Sequence, residues 1–127
     1  MASLAVAEAN RLLDASLGTA GHVAPTPPMT LALITAAGDG VTPGTEVVGG
    51  SYERQPVTFG AASAGEASNS TPVVFAGMPA VTVVGVEVYD SADPPRRCWH
   101  GPLTAQRTVQ NGDAVQFAVG QIVATIT

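Results

Sequence analysis

Turn-forming residues cut this 127-residue chain into pieces too short for most folds. It carries 14 glycines and 10 prolines. Beyond residue 18, clusters of Gly, Pro, Asn and Asp recur about every 8–12 residues, the rhythm of an antiparallel sandwich or barrel. The stretches between them are rich in Val, Ile, Phe and Thr and alternate with period two. No strands alternate with helices of useful length, which argues against a parallel α/β sheet. The length fits one domain with a buried core.

Only the first segment reads as a helix. Over residues 3–17, Val6, Ala9, Leu13 and Leu17 recur at helical spacing, and Leu12 widens the stripe. Ser3 is the expected N-cap. Glu8, Arg11 and Asp14 fall largely off the stripe and make two i,i+3 pairs of opposite charge. Gly18 suits a left-handed stop. Pro25, Pro27 and Pro28 make residues 19–28 an extended linker.

Strand signals follow at 29–34, 46–52, 57–59, 73–75, 81–89, 96–103, 115–119 and 122–126. Gly49-Gly50 inside the second predicts a bulge or a close backbone approach, and the parity change beside Gly85 predicts another bulge. Gly120 predicts a bend, a bulge or a tight turn. Residues 60–72 read as a surface loop or weak edge strand. Asp90 to Pro95 reads as a turn, and Asn111-Gly112 predicts a hairpin. The expected fold is mainly β: an antiparallel β-sandwich, with a jelly roll as one form of it, behind a short N-terminal α-helix. Residues 1–18 form the helical segment and 19–127 a single sandwich domain.

Charge excludes several roles. Only 12% of residues are charged, with five arginines, no lysine and ten carboxylates, for a formal charge of −5. Nucleic-acid backbone binding needs clustered cations, which five scattered arginines do not supply. No run of about 20 apolar residues exists to insert in a membrane. A lone Cys98 permits neither an internal disulfide nor a cysteine zinc cage. Glu8, Arg11 and Asp14 interrupt the first apolar stretch, and no basic region precedes it, so it does not read as a signal peptide.

Catalytic patterns fail one by one. Ser51 follows Gly50, but Tyr52 and Glu53 break the Gly-x-Ser-x-Gly elbow, and Ser63 has no helix pattern behind it. Cys98 and His100 share a strand face, yet two donors do not close a metal site. Glu46, Glu53, Glu87, Asp90 and Asp93 have strand and turn positions that explain them without acid–base chemistry. Gly38-Asp39-Gly40 lacks the Lys and Ser or Thr of a phosphate loop. Asn69-Ser70-Thr71 is formally a glycosylation sequon and reads as coincidence. No catalytic residue, metal ligand or cofactor is expected.

What remains is a surface poor in charge, cheap to desolvate and suited to being covered by neighbours. Leu12, Leu13 and Leu17 on the helix are the candidates for assembly contacts. Arg96-Arg97 reads as a turn feature pairing with Asp90 or Asp93, and Trp99 beside it is the candidate ligand contact.

Three stretches are similar to a known family. They are Ala9-Asn10-Arg11-Leu12-Leu13-Asp14-Ala15-Ser16-Leu17-Gly18-Thr19-Ala20; Gly44-Thr45-Glu46-Val47-Val48-Gly49-Gly50-Ser51-Tyr52-Glu53-Arg54-Gln55; and Gly112-Asp113 with Phe117, Gly120 and the closing strand. Together with Gly85-Val86-Glu87-Val88-Tyr89-Asp90-Ser91 between them, they resemble small actinobacteriophage virion proteins labelled tail fibre or minor tail proteins. The resemblance implies a non-enzymatic structural protein of the phage particle, assembled in the host cytoplasm as a homo-oligomer with other virion structural proteins. A lysine-free, Ala/Val/Gly/Thr-rich composition agrees with a GC-rich host. In the second stretch, Gly49 and Gly50 are expected to let Tyr52 turn inward while Glu46 and Arg54 meet on one edge, an architectural role.

Three rivals stand beside the tail protein. A capsid decoration protein differs from it only in location. A carbohydrate-binding module needs an aromatic platform, for which Trp99, Tyr52 and Tyr89 are the candidates. A hydrolase needs Ser91, His100 and Asp90 within hydrogen-bond reach.

Overall fold

A computed structural model describes residues 2–126. The chain is mainly β, with antiparallel ladders and one short helix near its N-terminus. Strand β1 (Ser3–Leu4) precedes helix α1 (Val6–Ser16). Then come β2 (Thr30–Ala36), β3 (Thr45–Glu46), β4 (Gln55–Pro56), β5 (Glu66–Ser68), β6 (Val73–Phe75), β7 (Val81–Tyr89), β8 (Arg97–Val109), β9 (Val115–Phe117) and β10 (Val123–Thr125). A six-stranded sheet runs β1-β8-β7-β2-β3, with β4 also paired to β2. Two short ladders, β10-β5 and β6-β9, complete the β structure. Among the described residues no helix is long and apolar enough to cross a membrane.

The core forms where alternating side chains of the large sheet meet the short ladders. Leu31 pairs with Val88 and Leu33 with Val86 in register, and with Val83 these pack with Val73, Phe75, Val115, Phe117 and Met78. Phe75 meets Phe117 edge-on at 6.3 Å and stacks on Tyr52 at 5.9 Å, both favourable aromatic geometries. Ala32 and Ile34 occupy the other face of β2, yet they too are buried. The large sheet is therefore covered on both sides at this strand, which is why β2 reads as a continuous apolar run.

Several sequence expectations are corrected. Ser3 pairs with His100 in β1, and the helix N-cap is Ala5, which makes no side-chain cap bond. Diglycine Gly49-Gly50 makes the close backbone approach and not the strand bulge: it forms a turn, with Tyr52 N–H bonded to Gly49 O, that packs against the backbone of residue 77. The Asn111-Gly112 turn forms, with Asp113 N–H bonded to Gln110 O, but it joins no hairpin. Its flanking strands part instead, β8 joining the large sheet and β9 pairing with β6. Register shifts in the β7–β8 ladder beside Gly85 as the parity change predicts. A Cβ there would lie 2.7 Å from Gly101 O, so only glycine lets the two strands approach. Gly120 is a tight turn, and Gln121 N–H bonds Ala118 O across it.

Candidate functional site

The helix sits on the body in a way its sequence does not announce. Glu8, apart from the apolar stripe, is the residue it buries, at 4% exposure. Arg96 Nη2 donates to both Glu8 carboxylate oxygens at 2.7 and 3.1 Å, and Arg11 Nη1 adds a third bond at 3.2 Å. Arg96 also bonds Val23 O, tying down the proline linker. Leu12 lies half-buried towards the body. Leu13 and Leu17 stand 54% and 76% exposed. A burial pattern read from hydrophobicity alone points the other way, because the ion pair supplied by Arg96 comes from the far end of the chain.

The second cluster brings together the residues of the Gly-Gly-Ser-Tyr stretch. Turning at Gly49-Gly50 aims Tyr52 inward, where its ring stacks on Phe75. Its hydroxyl accepts from Leu33 N–H at 3.0 Å and donates to Glu46 Oε2 at 2.6 Å. Arg54 grips the same carboxylate with two bonds, Nε at 3.0 Å and Nη2 at 2.9 Å, the bidentate geometry that favours arginine. Burial works to raise the Glu46 carboxyl. The bonds from Arg54 and Tyr52 outweigh it and hold the group below its ordinary value.

Arg54 continues the network by lying over the Tyr89 ring, 3.9 Å from its centroid. Tyr89 hydroxyl donates to buried Glu87, which also accepts from Arg97 Nη1 at 3.1 Å and Gly44 N–H at 2.8 Å. Burial and the Glu87 carboxylate together push the Tyr89 phenol up to about 12. Arg96 and Arg97 thus pair with Glu8 and Glu87, not with Asp90 or Asp93 as the sequence suggests. Asp90 instead accepts the backbone N–H groups of Thr26, Ala92 and Arg96. Arg107 bonds Gln116 O and lies over Phe117. All five arginines are tied to partners within the chain.

The other candidates have structural surroundings. Trp99 pairs with Leu4 and Val88 in register and packs half-buried against the core. Tyr52 and Tyr89 use their hydroxyls internally. Ser91 Oγ bonds Pro28 O, while the Asp90 carboxylate holds backbone amides. His100 lies in the ladder opposite Glu87 and Ser3. Cys98 is buried, and burial raises its thiol to about 11, which keeps it protonated at neutral pH. Among the described residues no three His, Cys, Asp or Glu side chains gather as a metal site would require.

Asn69 is a residue that sequence reasoning missed. It is 1% exposed. Its amide donates to Thr71 O and Ala118 O and accepts from Ile122 N–H. Those bonds join the β5 end to the Gly120 turn. The sequon that contains it is closed to modification in the folded chain.

Comparison with known proteins then decides the family. The family described as podophage GP4 fiber I protein gp80 matches residues 3–125. The chain belongs to this fibre family. No curated protein sequence matches it. The fiber I match runs from β1 to β10, so both ion-pair clusters lie inside the shared region.

Proposed function

We propose that this fiber I chain is a structural subunit of a phage tail fibre. It performs no reaction and acts by assembling with copies of itself and with neighbouring virion proteins. The observation that carries this reading, beside the family match, is the internal use of every arginine. A surface on which every arginine is paired and few groups are ionised loses little when neighbours cover it. Glu46, Tyr52 and Arg54, with Gly49 and Gly50 shaping their turn, serve as an architectural clamp, and Trp99 serves as part of the core wall. Leu12 anchors the helix, and Leu13 and Leu17 face outward to assembly partners. Lysine-free composition agrees with a GC-rich host, and an actinobacterial one is what the resemblance to actinobacteriophage virion proteins implies.

Immunogold labelling of purified particles with an antibody to this chain tests the proposal. Gold at the tail is expected. Gold on the head makes the chain a decoration protein, and particles without it overturn a virion role altogether.

A further inference from the structure

Helix α1 turns the Glu8–Arg11 ion pair towards its own body and leaves Val6, Leu13 and Leu17 outside, with Asp14 exposed beside them. At about 100° per residue, Val6, Asn10, Leu13 and Leu17 fall within an arc of about 60°, and Glu8 lies roughly opposite. Exposure agrees: Val6 is 46% exposed and Asn10 is exposed too, while Glu8, Ala5 and Leu12 face inward. A helix that belonged only to its own domain would turn the other way. Spacings of four, three and four residues between Val6, Asn10, Leu13 and Leu17 are those of the apolar seam of a coiled coil.

Resting on the assembly reading above, we infer that this seam is where copies of the chain meet, side by side and parallel, through Val6, Asn10, Leu13 and Leu17.

Three features select a second copy as the occupant. Asn10 sits mid-seam, and its amide both donates and accepts, so across a rotation axis it is satisfied by the same amide of the next copy. The four seam positions carry no charge, Glu8 and Arg11 being held in ion pairs and exposed Asp14 standing at the seam's edge, so a partner that buried a charge on Val6, Leu13 and Leu17 would find no counter-charge there. Ala7, Ala9 and Ser16 take three of the four positions that flank the seam, Asp14 the fourth, and the three small side chains let two helices approach closely. Three helical turns alone fall short of the roughly 800 Å² per partner of a standard interface. The patch extends beyond them. A groove of about 380 Å³ separates α1 from residues 40–43; Val41, 78% exposed, stands on its far wall, and Arg11, Arg96 and Arg97, each held in an ion pair, also line it. Val6 N–H bonds Gly40 O at 2.8 Å, which holds the two walls as one surface.

Sedimentation of the full chain tests the seam. Wild-type protein is expected to sediment as an oligomer. Leu13→Glu with Leu17→Glu is expected to weaken association by at least about 100-fold, with circular dichroism unchanged because both positions are exposed in the single chain. Asn10→Leu is expected to change the number of copies, since a lone seam asparagine sets oligomer order. Independently, Leu13→Cys is expected to form a disulfide between copies on mild oxidation, the native thiol being buried. This second readout decides the matter if the glutamate variant misfolds. An oligomer that survives both glutamates, or a Leu13→Cys chain that never cross-links, overturns the seam and leaves the fibre role standing. A monomeric wild type that is also missing from particles overturns both.

Discussion

Arg96 reaches back 88 residues to hold both carboxylate oxygens of Glu8. This pair docks the helix and is largely buried, with side chains 16% and 5% exposed. Removing one partner of a buried pair leaves the other charge uncompensated, at a cost of about 3–5 kcal/mol. Glu8→Ala is therefore expected to lower stability by about 3 kcal/mol in urea denaturation. Arg11→Ala, which removes the longer and more exposed bond, is expected to cost under about 1 kcal/mol. Equal effects would show that Arg96 does not carry the contact.

Glu46 gives the fold an acid sensitivity. Its carboxyl lies below the ordinary 4.5 in the folded chain. The stabilisation is therefore complete above that value and is lost as pH falls through the lower, folded-state value. Wild-type thermal midpoints are expected to fall below about pH 4.5, and Glu46→Gln to flatten part of that decline. An unchanged slope in the variant would assign the acid sensitivity elsewhere.

The two tyrosines make the alkaline side readable. Burial and Glu46 raise the Tyr52 phenol, and burial and Glu87 raise Tyr89 to about 12, both from an ordinary 10.0. A raised phenol stabilises the fold below the unfolded value and ceases to do so as pH climbs through the folded one. Near-ultraviolet absorbance of phenolate should therefore stay flat through pH 10 in the native protein. It should appear there in urea. Phenolate in the folded chain at pH 10 would mean that a hydroxyl is not bonded as described.

Glycines divide into two groups. A Cβ at Gly50 would lie 2.6 Å from Gly77 O, at φ +57°, while one at Gly112, at φ +88°, would meet open space. Gly112→Ala carries only the backbone penalty, about 1–2 kcal/mol. Gly50→Ala adds a clash with backbone and is expected to destabilise more, by about 3 kcal/mol or above. Matching melting temperatures for the two would contradict the tight packing of the diglycine turn on residues 77–79.

Asn69 offers the sharpest polar test. Asn69→Asp places a carboxylate against the carbonyls of Thr71 and Ala118, which accept and cannot donate. A loss of about 3 kcal/mol at neutral pH is expected, partly recovered in acid as the carboxyl protonates. A neutral substitution would show that the Gly120 turn is held by its backbone bonds alone.

How far the sequence reaches is clear from particular residues. Alternation from Val81 to Tyr89, the break at Gly85 and the diglycine before Tyr52 are local patterns, and each marks its strand, bulge or turn. The meeting of Glu46 with Arg54 was legible too, because one turn separates them. The Asn111-Gly112 turn was visible, but not the departure of β8 and β9 into different sheets, since a turn dipeptide fixes chain reversal and not pairing partners. Asn69 stood out only as part of a sequon and gave no sign of its structural role, because two of its three side-chain bonds reach residues 49 and 53 positions away.

By itself the sequence determined the β class, the lone helix, the turn positions and the poverty of charge, all of which follow from composition and short-range periodicity. Tertiary structure alone decided which face of the helix turns inward. Hydrophobic spacing assigns the apolar stripe to the interior by default. An arginine 88 residues away, arriving where Glu8 could meet it, stabilises the opposite orientation and leaves Leu13 and Leu17 outside. Local patterns limit what each segment can become, but pairing between distant charges depends on where the whole chain has gone.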